Sequence, residues 1–415
     1  NTASYNTGVG YTALYCNTSG SGNNAFGYSA MYYNTTGGCN TALGNGAVGK
    51  NTTGNQNTGL GYLTLCSNTT GNYSTAVGTK SLYSNTTGNN QSFGSFSLKK
   101  NTSGTLNNAF GYAAMEENTT GDCNIAMGHA ALNKNTTGCI NTAFGYQALY
   151  CNTTGCENVA IGRRALCCNS TGSMNTAIGA DTLTKATGSY NTAVGKNALF
   201  STTSGQYNTA MGLSVMYNNT TGCRNTAVGR SALSSNTTGC NNTASGFYSM
   251  YATTTGKNNT AYGAWSLRCN TTGCRNAAFG QSAMEKSTTG CWNTSIGTRS
   301  LYSSTTACFN TAVGGCSLTA NTTGANNTAV GYISLAKNTT GACNVAAGRS
   351  ALFCNTTGAL NTASGAYTLK SNCTGSQNVA IGSYSLYANT TGNANTASGF
   401  CALANSTTAS ENVAV

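Results

Sequence analysis

The sequence predicts an all-β fold, a solenoid of stacked coils, and three observations carry the prediction. Glycine recurs every seventeen residues at Gly10, Gly27, Gly44, Gly61 and Gly78, and the series runs to Gly399 with one residue missing before Gly94 and one before Gly195. A large aliphatic residue follows each glycine by four positions, as at Leu14, Met31, Val48, Leu65, Leu82, Leu98 and on to Leu403. The chain has no proline and only 6% charged residues. Polarity without charge can mark disorder, but a disordered tract has no reason to keep an aliphatic column. A repeat this short cannot bury its own apolar face, so the copies must stack.

Asn141–Glu157 (NTAFGYQALYCNTTGCE) shows one full repeat. Its second and fourth positions have the period of two expected of a strand, and both are expected to face inward. The second is mostly Thr, with Ile125, Val159, Val345, Val379 and Val413; the fourth is mostly large and apolar (Val9, Phe26, Leu43, Phe144, Ile161, Ile178). The third is small (Ala143, Ala160, Gly8, Ser295), either because this outer face packs closely against another chain or a lateral neighbour, or because small residues suit a crowded ladder between two corners. Glycine at the fifth position marks a corner that needs positive φ or a close backbone approach. Positions six, seven, ten and eleven accept Tyr, Lys, Arg, Glu, Ser or Cys and are expected in solvent. Thr-Thr-Gly supplies a second corner. Asn at the first position (Asn6, Asn23, Asn40, Asn57; Ser74 is an exception) can link its amides from coil to coil.

Ile161-Gly-Arg-Arg-Ala165 resembles the hexapeptide repeat of left-handed β-helices, which implies three-sided coils. Asn158–Gly162 and Asn378–Gly382, both Asn-Val-Ala-Ile-Gly, are similar to the head repeat of trimeric autotransporter adhesins. The whole unit resembles the tandem NTAxGxxA repeats of fibre and adhesin-like surface proteins, although its period departs from the first two families. An alternative is a strand followed by a helical turn, similar to short leucine-rich repeats, because Gly-x-x-Ala-Leu-x-x-Asn also has helical spacing. Seventeen residues are few for a strand, a helix and two loops, and the all-β coil is preferred. Residues 1–415 then form one continuous array of about 24 coils, on the order of 115 Å long at ~4.8 Å per coil. Both ends read as cuts through a longer array.

The commonest chemical signal is Asn-x-Ser/Thr, the N-glycan acceptor pattern. The twelfth column supplies Asn17, Asn34, Asn51, Asn68, Asn85, Asn101, Asn118, Asn135, Asn152 and Asn169, then Asn219, Asn236, Asn270, Asn321, Asn338, Asn355, Asn372 and Asn389. At a glycine turn these read as a column of glycan sites. Duplication of one good turn would give the same column, and acceptors ~4.8 Å apart would crowd each other. Thr-rich corners also permit O-linked sugar. The 20 cysteines favour an oxidising setting. Same-column neighbours lie within disulfide reach, so Cys139–Cys156, Cys223–Cys240 and Cys291–Cys308 are candidate bridges. Cys151–Cys156 and Cys269–Cys274 form a competing scheme that closes single corners.

Enzymatic signals are weak. His129 is the only histidine, and the seven acids are dispersed. No Cys-x-x-Cys pair suggests zinc. Gly44–Gly49 (GNGAVG) matches a dinucleotide fingerprint in letters only, since its glycines belong to repeat columns. The net charge of +12 is scattered and lacks the stripe expected of a nucleic-acid surface. No apolar run is long enough to cross a membrane. The expectation is therefore a secreted, glycosylated and disulfide-stapled structural fibre or cell-surface appendage that associates with identical chains. It needs no cofactor beyond covalent glycan. A carbohydrate- or ice-binding solenoid and a trimeric adhesin or tail-fibre shaft are the alternatives.

Overall fold

The computed structural model describes residues 3–415. The chain divides into two compact units, Asn1–Tyr207 and Asn208–Val415. The first carries twelve three-residue strands, β1 (Thr7–Val9) to β12 (Thr192–Val194). The second carries thirteen, β13 (Thr209–Met211) to β25 (Val413–Ala414). Within each unit every strand pairs in parallel with the strand of the next coil, so each unit is a β-solenoid. No helix occurs among the described residues, which removes the leucine-rich-repeat alternative. The helical spacing of Gly-x-x-Ala-Leu-x-x-Asn comes from two isolated turns. In one coil Ala148 N–H donates to Gly145 O, and Asn152 N–H donates to Leu149 O.

The pairing register is seventeen residues, with Thr142 opposite Val159, Ala143 opposite Ala160 and Phe144 opposite Ile161. The two short repeats pair at sixteen residues and still keep the columns aligned: Ala76 faces Ser92, and Ala177 faces Ala193. The missing residues are absorbed in corners, and the ladder is not displaced.

The strand faces are the reverse of the sequence expectation. The third column lies inside, with Ala25, Ala42, Ala143, Ala160 and Ala177 fully buried. The second column is half-exposed in most coils. The fourth faces out: Phe144 is 38%, Ile161 41% and Leu43 53% exposed. Alternation in a three-residue strand is satisfied by either phase, and a slip of one residue exchanges the two faces. The third column therefore does not pack against another chain. It is small because the coil is thin there and an equally small eighth column (Ala131, Ala148, Ala165) fills the interior beside it. Where the third residue is Ser, so is the eighth. Ser92 hydrogen-bonds Ser97, and Ser295 bonds Ser300, so each buried hydroxyl has its partner.

The ninth column behaves as expected: Met31, Leu65, Leu132, Leu149 and Leu166 are fully buried, each contributing about 1.5–3 kcal/mol of burial. These residues take left-handed φ, 52° at Leu149 and 51° at Leu166. The fifth-column glycines need both properties proposed for them. Gly145 has φ 126°, and a Cβ there would stand 2.8 Å from the carbonyl of Gly162 in the next coil. The fifteenth-column glycine is required by space alone. A Cβ at Gly138 would lie 2.4 Å from Asn135 Oδ1 and 2.5 Å from Gly155 O.

Candidate functional site

The structure places the acceptor asparagines of the twelfth column inside the coil. Asn34, Asn51, Asn68, Asn85, Asn101, Asn118, Asn135, Asn152 and Asn169 are fully buried, as are Asn219, Asn236, Asn270, Asn321, Asn338, Asn355, Asn372 and Asn389. Only Asn17, in the first coil, is half-buried. Where Asn follows Asn in this column, the amide makes two bonds, and Asn321, which follows Ser304, keeps only the one to Gly324 O. Asn152 Nδ2 donates to Asn135 Oδ1 at 2.8 Å and to Gly155 O at 2.9 Å. Asn355 repeats this with Asn338 Oδ1 and Gly358 O. At Asn152 and Asn355 both hydrogens of Nδ2 are used, and the fully buried side chain has no route to solvent. A glycan on it is incompatible with this packing. The Asn-Thr-Thr-Gly corner is a turn whose asparagine closes inward, a direction the acceptor pattern does not encode.

The first column forms a second amide ladder, as its sequence suggested. Asn158 N–H donates to Asn141 Oδ1 at 3.0 Å, and Asn158 Nδ2 donates to Gly172 O at 2.9 Å. Two polar ladders and one aliphatic ladder thus share the interior.

The twelfth-column ladder breaks where another residue replaces Asn. Asn169 Oδ1 lacks a donor where Ala186 follows, Asn236 Oδ1 where Thr253 follows, Asn270 Oδ1 where Ser287 follows, and Asn389 Oδ1 where Ser406 follows. The fifteenth residue covaries with this column. Ala307 and Ala409 replace the glycine only in coils whose twelfth residue is Ser304 or Ser406. The shorter serine has no amide oxygen to meet the alanine Cβ.

The Thr-Thr pair divides its labour. The first hydroxyl is structural: Thr136 Oγ1 donates to Thr153 O at 3.0 Å. The second, as at Thr137 and Thr154, is exposed.

Cysteines of the sixteenth column meet across coils as free thiols. Cys139 Sγ donates to Cys156 Sγ at 2.8 Å, Cys223 and Cys240 sulfurs are 2.9 Å apart, and Cys274 and Cys291 are 3.1 Å apart. Cys291 N–H donates to Cys308 Sγ at 3.1 Å. The sulfurs of Cys156, Cys240, Cys291 and Cys308 accept the backbone N–H of the cysteine in the coil before, a role filled elsewhere by Asn55, Asp122 and Ser173. Cys156 and Cys274 face their same-column neighbours, so the corner-closing scheme with Cys151 and Cys269 is not the observed arrangement. The Cys274–Cys291 pair was missed in the sequence, although its spacing of seventeen was visible. The hydrogen bond to Cys156, then burial, pushes the Cys139 thiol up to about 11. Burial pushes the Cys167 thiol up to about 11, with Cys168 and Cys151 adding to it. Burial and the hydrogen bond to Cys274 raise Cys291.

His129 is exposed and stacked between Tyr112 and Tyr146, with ring centroids 5.3 and 5.4 Å away. Most charged side chains that pair do so between adjacent coils, as Lys99–Glu116 does at 3.2 Å. In the second unit the small Ser282 stands between coils bearing Trp265 and Arg299, and leaves an open groove of about 550 Å³. Tyr248, Trp265 and Tyr302 line it, Arg268 pairs with Glu285 at 3.5 Å, and the Arg299 guanidinium lies over Tyr302. No group of three or more His, Cys, Asp or Glu suited to a metal ion occurs among the described residues. No helix among them is long and apolar enough to cross a membrane. Comparison with protein-family models, curated proteins and solved structures gave no match.

Proposed function

We propose that the chain is a structural repeat protein, a building segment of an extracellular fibre or surface appendage. The observation that carries this reading is the pair of buried asparagine ladders, which make every coil depend on its neighbours for satisfied amides. Such a stack transmits load through parallel hydrogen bonds. Cys139–Cys156, Cys223–Cys240 and Cys274–Cys291 are its staples, each bridge forming as two thiols pass two protons and two electrons to an oxidised-thiol acceptor. Any sugar coat sits on the exposed second threonine of each corner, such as Thr137 or Thr154, and not on the buried asparagine. Electron microscopy of native surfaces labelled with antibody to this chain, with unreduced peptide maps, tests the proposal. Labelled filaments with those three bridges are expected; a chain recovered as single particles with free thiols contradicts it.

The groove at Trp265 favours a second reading, saccharide binding. Its aromatic rings offer apolar faces to sugar C–H groups, and Glu285, Arg268 and Arg299 offer partners to hydroxyls. Titration of oligosaccharides against the full chain and Trp265→Ala tests it. Saturable binding abolished by the substitution supports this reading, and equal binding by both proteins removes it.

A further inference from the structure

We infer that the outer strand face of the first unit is the interface between two copies of this chain, an inference that rests on the structural reading above. From Val9 to Val194 the fourth column is large and apolar in all twelve strands, and it stands exposed or half-exposed. The second column beside it is Thr, Asn, Gln, Ile or Val. Neither column holds a single charged residue across the unit, although Lys50, Lys80, Lys99, Lys100 and Lys134 stand on its other columns. A run of this length is unusual on a surface that nothing covers. In the second unit the same column is interrupted by Ser245, Ala347, Ser364 and Ser398, so the continuous apolar stripe belongs to the first.

Three arguments select a second copy as the occupant. A face without charge gives nothing to a nucleic acid or an anionic headgroup. Its relief is uneven, with Phe93, Phe110 and Phe144 beside Val77, Met127 and Ile161, which fits interdigitating side chains better than a flat crystal plane. The face also repeats at the strand spacing of ~4.8 Å, and a second copy has that step along its whole length by construction. Twelve strands about 58 Å long and roughly 10 Å wide would bury about 1,150 Å² in total, above the ~1,000 Å² that a specific interface clears. Pairing of identical faces is isologous and closes as a two-fold dimer.

Sedimentation of the full chain against the variant Phe110→Lys/Phe144→Lys tests this, with circular dichroism verifying the fold of both. The expected result is a two-chain species that becomes one chain in the variant. A photo-crosslinker at position 110 of the otherwise unchanged chain gives an independent readout, expected to join two copies through their strand faces. A paired variant, or crosslinks that map elsewhere, overturns the inference; filaments seen by microscopy would then leave the fibre reading standing. A single-chain wild type that pellets with crystalline cellulose or shows thermal hysteresis also overturns it, and names a different occupant. A single-chain wild type that forms no filaments under any condition sinks both readings.

Discussion

Thr253 is the residue where the account is easiest to test by gain of stability. It interrupts the twelfth-column ladder, leaving Asn236 Oδ1 without a donor and Asn270 Nδ2 with a long 3.4 Å bond to Thr253 Oγ1. Thr253→Asn supplies the missing amide, and Gly256 leaves it room. It is expected to stabilise the fold by about 1 kcal/mol, read as a shift in denaturant midpoint. Gly145→Ala has the opposite sign. Positive φ and the carbonyl of Gly162 both oppose the new Cβ, and a loss of about 3 kcal/mol is expected by the same measurement. The thiols add a pH dependence. The folded state holds the Cys139 proton more tightly than the ordinary thiol value of 9.0, up to about 11. Its contribution to the reduced protein is thus intact below about pH 9 and is lost as pH rises through about 11. Oxidised protein, whose sulfurs no longer titrate, should lack that alkaline loss in a melting series from pH 8 to 11.

At the scale of the element, the strand shows what could and could not be read from the sequence. Its position in the repeat was legible because Thr-Ala-Val alternates before an invariant glycine. Its phase was not. The usual inference sends the large residues inward, yet here Phe144 points out and Ala143 points in, because Ala148 and Leu149 already fill the thin coil. The corner was misread for a related reason. Asn-Thr-Thr-Gly identifies a turn and an acceptor pattern equally, and only the fold decides that Asn152 closes inward while Thr154 remains outside. The phase assignment makes paired predictions. Ala143→Val overpacks the interior and should cost about 1–3 kcal/mol. Phe144→Ser should stay within about 0.5 kcal/mol when melting is followed at dilution that keeps chains single. The reverse order of these two costs would put the large column back inside.

At the scale of the whole molecule, repetition made the solenoid legible before any coordinate, since seventeen residues cannot fold alone. It also obscured function, because duplication copies structural and functional residues with equal fidelity. The sequon column illustrates this: many identical acceptor signals resolve into one structural solution repeated coil by coil. The cysteines at positions 139, 156, 223, 240, 274 and 291 are a middle case. They occupy a column whose task is to accept a backbone N–H, and in that column neighbouring sulfurs meet. A side-chain-resolving cryo-electron microscopy map of native filaments tests the central claim most directly. The account predicts an axial step of about 4.8 Å, with Asn152 and its column inside and free of sugar and Phe144 and its column outside. Sugar density on the twelfth-column asparagines, or the fourth column packed in the coil interior, would contradict it.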